Sequence, residues 1–307
     1  MRKIFAPALL ALAASGAAQA NIDIVFDFTY DTNNFFSSSE RINALNAAAS
    51  VFETRFADSL SAITSSGGNN FSTIFFNQAN PFGPDITLAN QSVAANVIRV
   101  YASGVDLGTN TLGMGGPGGF DCIGFGTFCS DASSRGQGTV NGPGAWDFAP
   151  WGGTISFNNT STDWYFGLSS SGLGASQFDF YSVAVHELAH VLGFSLSDSF
   201  INLVSGNHFV GQNTGTVALT PEGHWAPGTT SLIDGIYGDG MLYEVAMGPT
   251  LASGQRKRFT DLDYAAMQDI GWQVTPVPEA DTWAMLLAGL GLVGFAARRR
   301  LNANQPG

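Results

Sequence analysis

The chain has 307 residues, of which 45% are hydrophobic and only 12% are charged, so it is long and apolar enough to bury a large core. This composition excludes a disordered, collagen-like or coiled-coil protein, and the 38 glycines predict a loop-rich globular fold. Residues 21–275 carry 7 basic and 22 acidic side chains, a formal charge of −15, which disfavours nucleic acid and anionic membranes as partners.

The first 20 residues have the features of a secretory signal peptide. Arg2 and Lys3 precede an apolar run over residues 4–14, and residues 18–20 (Ala-Gln-Ala) form a small-x-small cleavage site. The apolar run is shorter than the roughly 20 residues that a membrane-spanning helix needs. We therefore expect cleavage after residue 20 and export of the mature protein.

The first half of the mature chain alternates between strand and helix patterns. Alternating apolar residues predict a strand over residues 21–29, and apolar residues three and four apart predict an amphipathic helix over residues 39–61. A second strand is expected at residues 97–102. The glycine-rich residues 113–119 lack the Gly-Lys-Ser/Thr ending of a phosphate loop, so we expect a surface loop there.

The chain contains two cysteines, Cys122 and Cys129, and both lie in the exported part. An even number of closely spaced cysteines in an exported protein predicts a disulfide, which on the chain-entropy account stabilises the fold by about 2–3 kcal/mol. A metal site made of cysteine alone would need more thiolates than the chain has.

The second half begins with a strand pattern at residues 153–158, followed by a helix over residues 178–192 that Gly193 ends. A last short helix is expected at residues 262–270, with Thr260 or Asp261 as its cap. This order predicts an α+β fold. We expect residues 21–275 to form one domain, with an N-terminal part over residues 21–193 and an irregular C-terminal part over residues 194–275.

The predicted helix over residues 178–192 contains His186-Glu187-Leu188-Ala189-His190, which matches the pattern H-E-x-x-H. Side chains four residues apart lie on one face of a helix, so both imidazoles can reach one metal ion, and Glu187 can address a metal-bound water. Zinc is the usual ion for two such histidines, and a catalytic zinc takes a third protein ligand.

The third ligand must come from elsewhere in the chain. His208 and His224 are the remaining histidines, and position 196, where the short metzincin motif has a ligand, is Leu. Glu222 and Glu244 are further candidates, although residues 221–223 (Pro-Glu-Gly) are helix-breaking. Asp234 begins a segment that is similar to the end of the aspzincin motif but lacks its preceding Gly-Thr.

The order of these motifs resembles the leishmanolysin-like branch of the metzincin zinc proteases. The similarity rests on residues 186–194, a delayed Gly223-His224-Trp225, a turn that contains methionine, and residues 259–272, which end in Asp-Ile-Gly-Trp. It is strongest over residues 179–272, whereas residues 21–158 match in element order alone.

This resemblance implies a zincin fold, with a twisted mixed sheet and an active-site helix, and a zinc-dependent endopeptidase that acts on protein or peptide substrates. It assigns His186, His190 and His224 to zinc and Glu187 to the role of general base and acid.

The same resemblance assigns further positions. It places Met247, or alternatively Met241, beneath the metal. It also makes residues 153–158 the candidate for an edge strand that holds extended substrate, through Thr154, Ile155 and Ser156, with a purely structural strand as the alternative. Apart from the resemblance, Asp179, Asp198 and Asp234 are eligible to accept an imidazole N–H.

The C-terminal residues 276–307 form a separate segment. Pro278-Glu279-Ala280 precedes an apolar stretch over residues 283–297 and then Arg298-Arg299-Arg300, an arrangement that favours retention at the inner face of a membrane. The order resembles the PEP-CTERM sorting signal of Gram-negative bacteria, although Ala280 replaces the usual second proline. It implies processing by an exosortase-type enzyme and a location at the cell surface, in the outer membrane or outside the cell, with membrane contact through this segment alone.

A second class of function is also compatible with these motifs. The chain could be a surface or extracellular-matrix protein whose zinc site is structural or has lost its catalytic role. A closed site with four protein ligands would favour this alternative. The position of Glu187 favours an enzyme, because a structural site has no use for a carboxylate directed at the open side of the metal.

Overall fold

The computed structural model describes residues 22–135, 150–233, 240–275 and 289–290. The predicted signal peptide, nearly all of the C-terminal segment, and Asp234 lie outside the described residues. The rest combines helices with several sheets, which confirms an α+β fold. The helices are α1 (Ser39–Glu53), α2 (Phe128–Ser134), α3 (Phe180–Val191), α4 (Asp198–Ile201) and α5 (Asp261–Asp269).

The main sheet has four strands, which in spatial order are β1 (Asp23–Asp27), β4 (Val97–Val105), β7 (Gly152–Asn158) and β5 (Gly113–Pro117). The first three run parallel, and β5 pairs antiparallel with β7. A second sheet contains β3 (Ile86–Leu88), β2 (Asn70–Phe75) and β6 (Gly119–Ile123).

The remaining strands are short. They form a three-stranded sheet of β10 (Val204–Ser205), β11 (His208–Gly211) and β12 (Gly215–Ala218), and two pairs, β8 (Trp164–Tyr165) with β9 (Phe178–Asp179) and β13 (Thr230–Ser231) with β14 (Tyr243–Glu244).

Apolar side chains cover both faces of the main sheet. On one face, Ile155 and Phe157 of β7 join a core that includes α1 and α3 and continues to Trp272 near the C-terminal end of the domain. On the other face, Tyr101 and Trp151 pack with residues of the second sheet. Every residue of β7 is therefore buried.

The predicted substrate-binding strand at residues 153–158 is wrong in one respect. Thr154, Ile155 and Ser156 do form a strand, but β7 lies between β4 and β5, so both of its edges are already paired. The edge strand next to it is β5, which occupies the glycine-rich residues that we expected to form a loop. Glycine is suited to this position because the strand passes very close to α3.

Helix α1 ends at Glu53, earlier than the predicted residue 61. The apolar spacing continues through Phe56 and Leu60, and both are buried. They are not helical, because Ala57 donates a backbone hydrogen bond to the Gln273 carbonyl at 2.9 Å and Phe56 stacks on Trp272. Pairing with a distant segment therefore replaces the last turns of the predicted helix.

Two local predictions are confirmed. Cys122 and Cys129 form a disulfide that joins β6 to α2. Thr260 caps α5: its side chain accepts a hydrogen bond from the Asp263 backbone N–H, and the Asp263 side chain accepts one from the Thr260 backbone.

Candidate metal centre

Helix α3 is held in place at both ends. At its start, the buried Asp179 carboxylate caps the first turn and forms a two-point ion pair with Arg256, with N···O distances of 2.6 and 2.9 Å. At its end, Gly193 has φ +105°, a conformation that residues with side chains rarely adopt. This turn brings the Phe194 carbonyl back toward His190.

His186, His190 and His224, which we call the histidine triad, converge on one point. Their Nε2 atoms are 3.1 Å apart for His186–His190 and His190–His224, and 3.2 Å apart for His186–His224. Nδ1 of His186 faces the Ala246 carbonyl at 2.9 Å, and Nδ1 of His190 faces the Phe194 carbonyl at 3.0 Å.

These Nδ1 contacts determine which ring nitrogen carries the proton in His186 and His190. A carbonyl only accepts, so Nδ1 carries the proton in both helical histidines, and their Nε2 atoms present lone pairs. Lone pairs that face each other at about 3 Å do not form a hydrogen bond. A shared cation would make this arrangement favourable, so the triad could hold a metal ion.

Burial also keeps the triad neutral. It is the main reason that the pKa of His190 falls to about 4 and that the pKa of His186 falls well below its ordinary value. Burial lowers the pKa of His224 as well, while the charge of Glu222 acts in the opposite direction. Neutral imidazole is the form that binds a metal ion.

The turn that carries His224 is held on both sides. Before it, the Ser195 hydroxyl donates to the Gly223 carbonyl at 2.9 Å, and Thr220 donates its backbone N–H to the His224 carbonyl at 2.8 Å. After it, the indole N–H of the buried Trp225 donates to the Asp263 carboxylate at 2.9 Å. The position of His224 is thus tied to the loop that follows α3 and to α5.

Asp263 is an organising residue that the sequence did not reveal. Its fully buried carboxylate accepts hydrogen bonds from the Ala246 N–H at 2.9 Å and from the Thr260 N–H and hydroxyl, both at 2.8 Å, in addition to Trp225. Burial raises the pKa of Asp263, and these hydrogen bonds lower it in part. Through Ala246, whose carbonyl orients His186, and through Trp225, Asp263 contacts the supports of two triad members.

Of the two candidate methionines, Met247 is the better placed. It is fully buried and directly follows Ala246, whereas 57% of the Met241 surface is exposed. The backbone of Met247 also accepts a hydrogen bond from the Trp225 N–H at 3.0 Å, so it belongs to the same packed unit as the triad. Its position beneath a metal stays a prediction.

Glu187 is buried beside the triad, with 6% of its surface exposed. Burial raises its pKa to about 8, and a hydrogen bond with the Gly115 backbone opposes this. Gly113 and Gly115 of β5 lie against it: a Cβ on Gly113 would be 2.7 Å from Glu187 Oε1, and one on Gly115 would be 2.6 Å from the Glu187 carbonyl oxygen. The glycines of β5 thus allow the strand to cover the carboxylate closely.

The other predicted ligands are not part of the triad. His208 is in β11, and Glu244 pairs with Lys257 at 2.7 Å. Asp179 caps α3, and Asp198 is the first residue of α4, which Ser197 caps. Neither accepts an imidazole N–H of the two helical histidines, because the carbonyls of residues 194 and 246 have that role. Backbone carbonyls leave no sequence signature, which is why these acceptors were not predicted. Among the described residues, Nδ1 of His224 is buried without a hydrogen-bond partner.

The triad lines an open cleft of about 580 Å³. Glu187, Glu222 and Leu196 also line this cleft, together with Gly113 and Gly115 of the edge strand. A cleft of this volume is large enough to hold several residues of an extended chain.

Comparison with known proteins adds one motif. Residues 276–300 match the PEP-CTERM protein-sorting motif, which confirms the sorting signal and indicates an exported, surface-sorted protein of Gram-negative bacteria that an exosortase recognises. No curated protein and no solved structure matches the chain. Among the described residues, we find no helix with the length and apolar character needed to cross a membrane.

Proposed function

We propose that this protein is an exported zinc-dependent endopeptidase with a zincin-type fold, similar to the leishmanolysin-like metzincins. The observation that carries the proposal is the convergence of three neutral imidazole Nε2 atoms within 3.2 Å of one another, beside a buried glutamate in an open cleft. The main sheet, with three parallel strands and one antiparallel edge strand beside the helix, supports the fold assignment.

The triad fits zinc in donor chemistry and in spacing. With Zn–N bonds of about 2.0–2.1 Å and tetrahedral angles, two nitrogen ligands are about 3.3 Å apart, close to the observed 3.1–3.2 Å. Three nitrogen ligands leave a fourth position toward the cleft, which is the pattern of a catalytic site. A zinc ion held there would supply Lewis acidity, which polarises a carbonyl and lowers the pKa of water.

The residues of this chain would then perform the proton transfers. Glu187 accepts a proton from the attacking water and later delivers it to the leaving amine nitrogen. Burial raises the pKa of Glu187, which favours the protonated form that the second step needs, and a zinc ion beside it would favour the charged carboxylate that the first step needs. The hydrogen bond with the Gly115 backbone holds the carboxylate in position between these steps.

We assign the substrate main chain to β5. Among the described residues, β5 pairs with β7 along one edge and has no partner strand on the other, and its residues Gly113, Met114 and Gly115 line the cleft. An extended peptide can add to the unpaired edge through backbone hydrogen bonds, which makes binding largely independent of side-chain sequence.

The test is cleavage of an unfolded general protein substrate by the purified protein. We expect activity that a chelator removes and zinc restores. Replacing Glu187 by Ala should lower kcat about 10²–10⁴-fold while zinc remains bound, because the base is lost but the ligands are not. The matched control is Glu222→Ala, which removes another carboxylate of the cleft and should retain most of the activity.

Full proteolysis by Glu187→Ala would refute this assignment. The alternative is a surface or matrix protein with a structural or inactive metal site. It would be favoured if one metal ion binds tightly per chain and neither the wild-type protein nor Glu222→Ala cleaves any substrate tested.

A further inference from the structure

A second pocket of about 380 Å³ lies beyond the carboxyl ends of the parallel strands. Its lining includes Asn33 after β1, Asn159 directly after β7, and Arg41 in the first turn of α1. The carboxyl ends of parallel strands are where α/β sheets commonly bind small ligands. Thr162 lines both this pocket and the cleft of the triad, so the two cavities adjoin. We call the second pocket the Arg41 pocket.

The guanidinium of Arg41 is fixed but not neutralised. Its central carbon lies 4.5 Å from the ring centre of Phe35 and 5.0 Å from that of Phe166, and Nη1 donates to the Phe35 carbonyl at 2.7 Å. In the part of the chain that the structure describes, the Arg41 guanidinium forms no ion pair with a carboxylate and no hydrogen bond besides this one. Nε and Nη2 therefore keep the parallel donors that bind a carboxylate in two places.

The same pocket offers acceptors of fixed orientation. Nδ2 of Asn33 and Nδ2 of Asn159 both donate to the Gly104 carbonyl, at 2.8 and 3.3 Å. These hydrogen bonds fix the orientation of each side-chain amide. Oδ1 of Asn159 is buried and has no hydrogen-bond partner among the described residues. A buried acceptor without a donor is costly, so a small rotation of the Asn159 side chain that exposes Oδ1 to a ligand N–H or O–H is favourable. The Asp163 carboxylate also lines the pocket.

Close packing builds this arrangement into the fold. A Cβ on Gly104 would lie 2.4 Å from the Phe35 side chain, so only glycine lets Phe35 pack against the end of β4 and bring Arg41 over the strand ends. A cation and an anion thus line one pocket of a size suited to a single amino-acid residue, and an unpaired amide oxygen lies just behind its wall.

We propose that the Arg41 pocket binds a molecule with an α-carboxylate next to an N–H group, as found in a free α-amino acid or in the carboxyl-terminal residue of a peptide. The carboxylate binds the Nε and Nη2 donors of Arg41, and the N–H donates to Oδ1 of Asn159. A free ammonium group additionally binds Asp163. The site stands on its own geometry and does not depend on the proposed peptidase activity.

Calorimetric titration of the purified protein with three ligands tests this proposal. Alanine has both groups, N-acetylalanine has the carboxylate and an amide N–H, and alaninamide lacks the carboxylate. We expect alaninamide to bind at least tenfold more weakly than the better of the two carboxylates. A preference for alanine identifies a free amino acid as the ligand, and a preference for N-acetylalanine identifies a peptide terminus.

Variants separate this site from the rest of the molecule. Arg41→Lys retains the charge but loses the two parallel donors, and should weaken carboxylate binding about tenfold. The matched control is Arg55→Lys: Arg55 also stacks on a ring, that of Tyr264, and donates to a backbone carbonyl, and this change should leave binding unaltered. Asp163→Asn, at an exposed position, should weaken alanine but not N-acetylalanine, and it tests the site even if Arg41→Lys is unstable.

Three results would overturn the proposal. They are equal binding of alaninamide and the carboxylates, unchanged affinity in a folded Arg41→Lys protein, and loss of all binding after chelation, which would place the ligand on the histidine triad instead.

Discussion

The carboxylate of Asp263 shows how one residue can set the geometry of a site that it does not enter. It accepts hydrogen bonds from the Ala246 N–H and the Trp225 indole, and these two residues adjoin the supports of His186 and His224. All of its donors are N–H or O–H groups, so a carboxylate satisfies them and an amide cannot. Asp263 is therefore a positioning residue.

We predict that Asp263→Asn weakens metal binding at least tenfold and lowers the free energy of unfolding by about 2–4 kcal/mol, because one amide hydrogen faces another donor. Metal titration and chemical denaturation measure the two effects. The control is Asp269→Asn, since Asp269 is equally buried and accepts hydrogen bonds from Asn213 and Thr214, away from the triad. Similar metal affinity in the two variants would show that Asp263 stabilises the fold without positioning the ligands.

Individual site residues could be predicted from the sequence only where the residues involved are close together in the chain. The spacing of His186 and His190 fixes their common face on any helix, so two ligands and Glu187 could be predicted. His224 depended on a resemblance to a known family. The orienting carbonyls and the contacts of Asp263 could not be predicted, because they join segments that are distant in the sequence.

Strand β5 is the element that differs most from the sequence-based prediction, which placed a loop there. Its sequence, Gly-Met-Gly-Gly-Pro, has the composition of a loop, and strand order in a sheet is set by long-range pairing that no local pattern records. The glycines are explained by the helix beside them, since a side chain at Gly113 or Gly115 would collide with Glu187. Helix α3, in contrast, was predicted within two residues because the spacing of His186 and His190 and the terminating Gly193 are local signals.

Two glycines of the same strand provide a matched test. In Gly113→Ala the new methyl group would meet Glu187 Oε1 at 2.7 Å and Val183 at 2.9 Å, so we expect a loss of about 1–3 kcal/mol in stability and a clear fall in kcat. In Gly116→Ala the nearest atom is the flexible end of Leu196 at 3.3 Å, and we expect little change. Thermal unfolding and cleavage assays compare them. Equal behaviour of the two variants would mean that β5 does not constrain the glutamate.

The triad joins two distant parts of the whole molecule. His186 and His190 lie on α3 in the N-terminal part, and His224 belongs to the part that follows Gly193. One hydrophobic core nevertheless extends through both, from Ile24 to Trp272. A metal ion at the triad would therefore act as a cross-link within one folding unit.

Metal removal should accordingly lower the stability of the entire chain. A metal at 100 times its dissociation constant stabilises the native state by about 2.7 kcal/mol, so a chelator should lower Tm by roughly 5–10 °C. His224→Ala should have a low Tm that no longer responds to the chelator. His208→Ala, which changes a histidine outside the triad, should respond as the wild type does. Thermal scans with and without chelator decide this, and a wild-type Tm that ignores the chelator would contradict it.

The contacts of Asp263 also impose an order in time. A polypeptide that leaves the cell in an extended form emerges from its N-terminus, so the two histidines of α3 reach the exterior well before residue 263. Until α5 arrives, Ala246 and Trp225 lack the acceptor that holds them, so His224 is not fixed beside the two histidines of α3. In a chain exported in this form, the metal site would therefore be complete only after the whole domain has emerged.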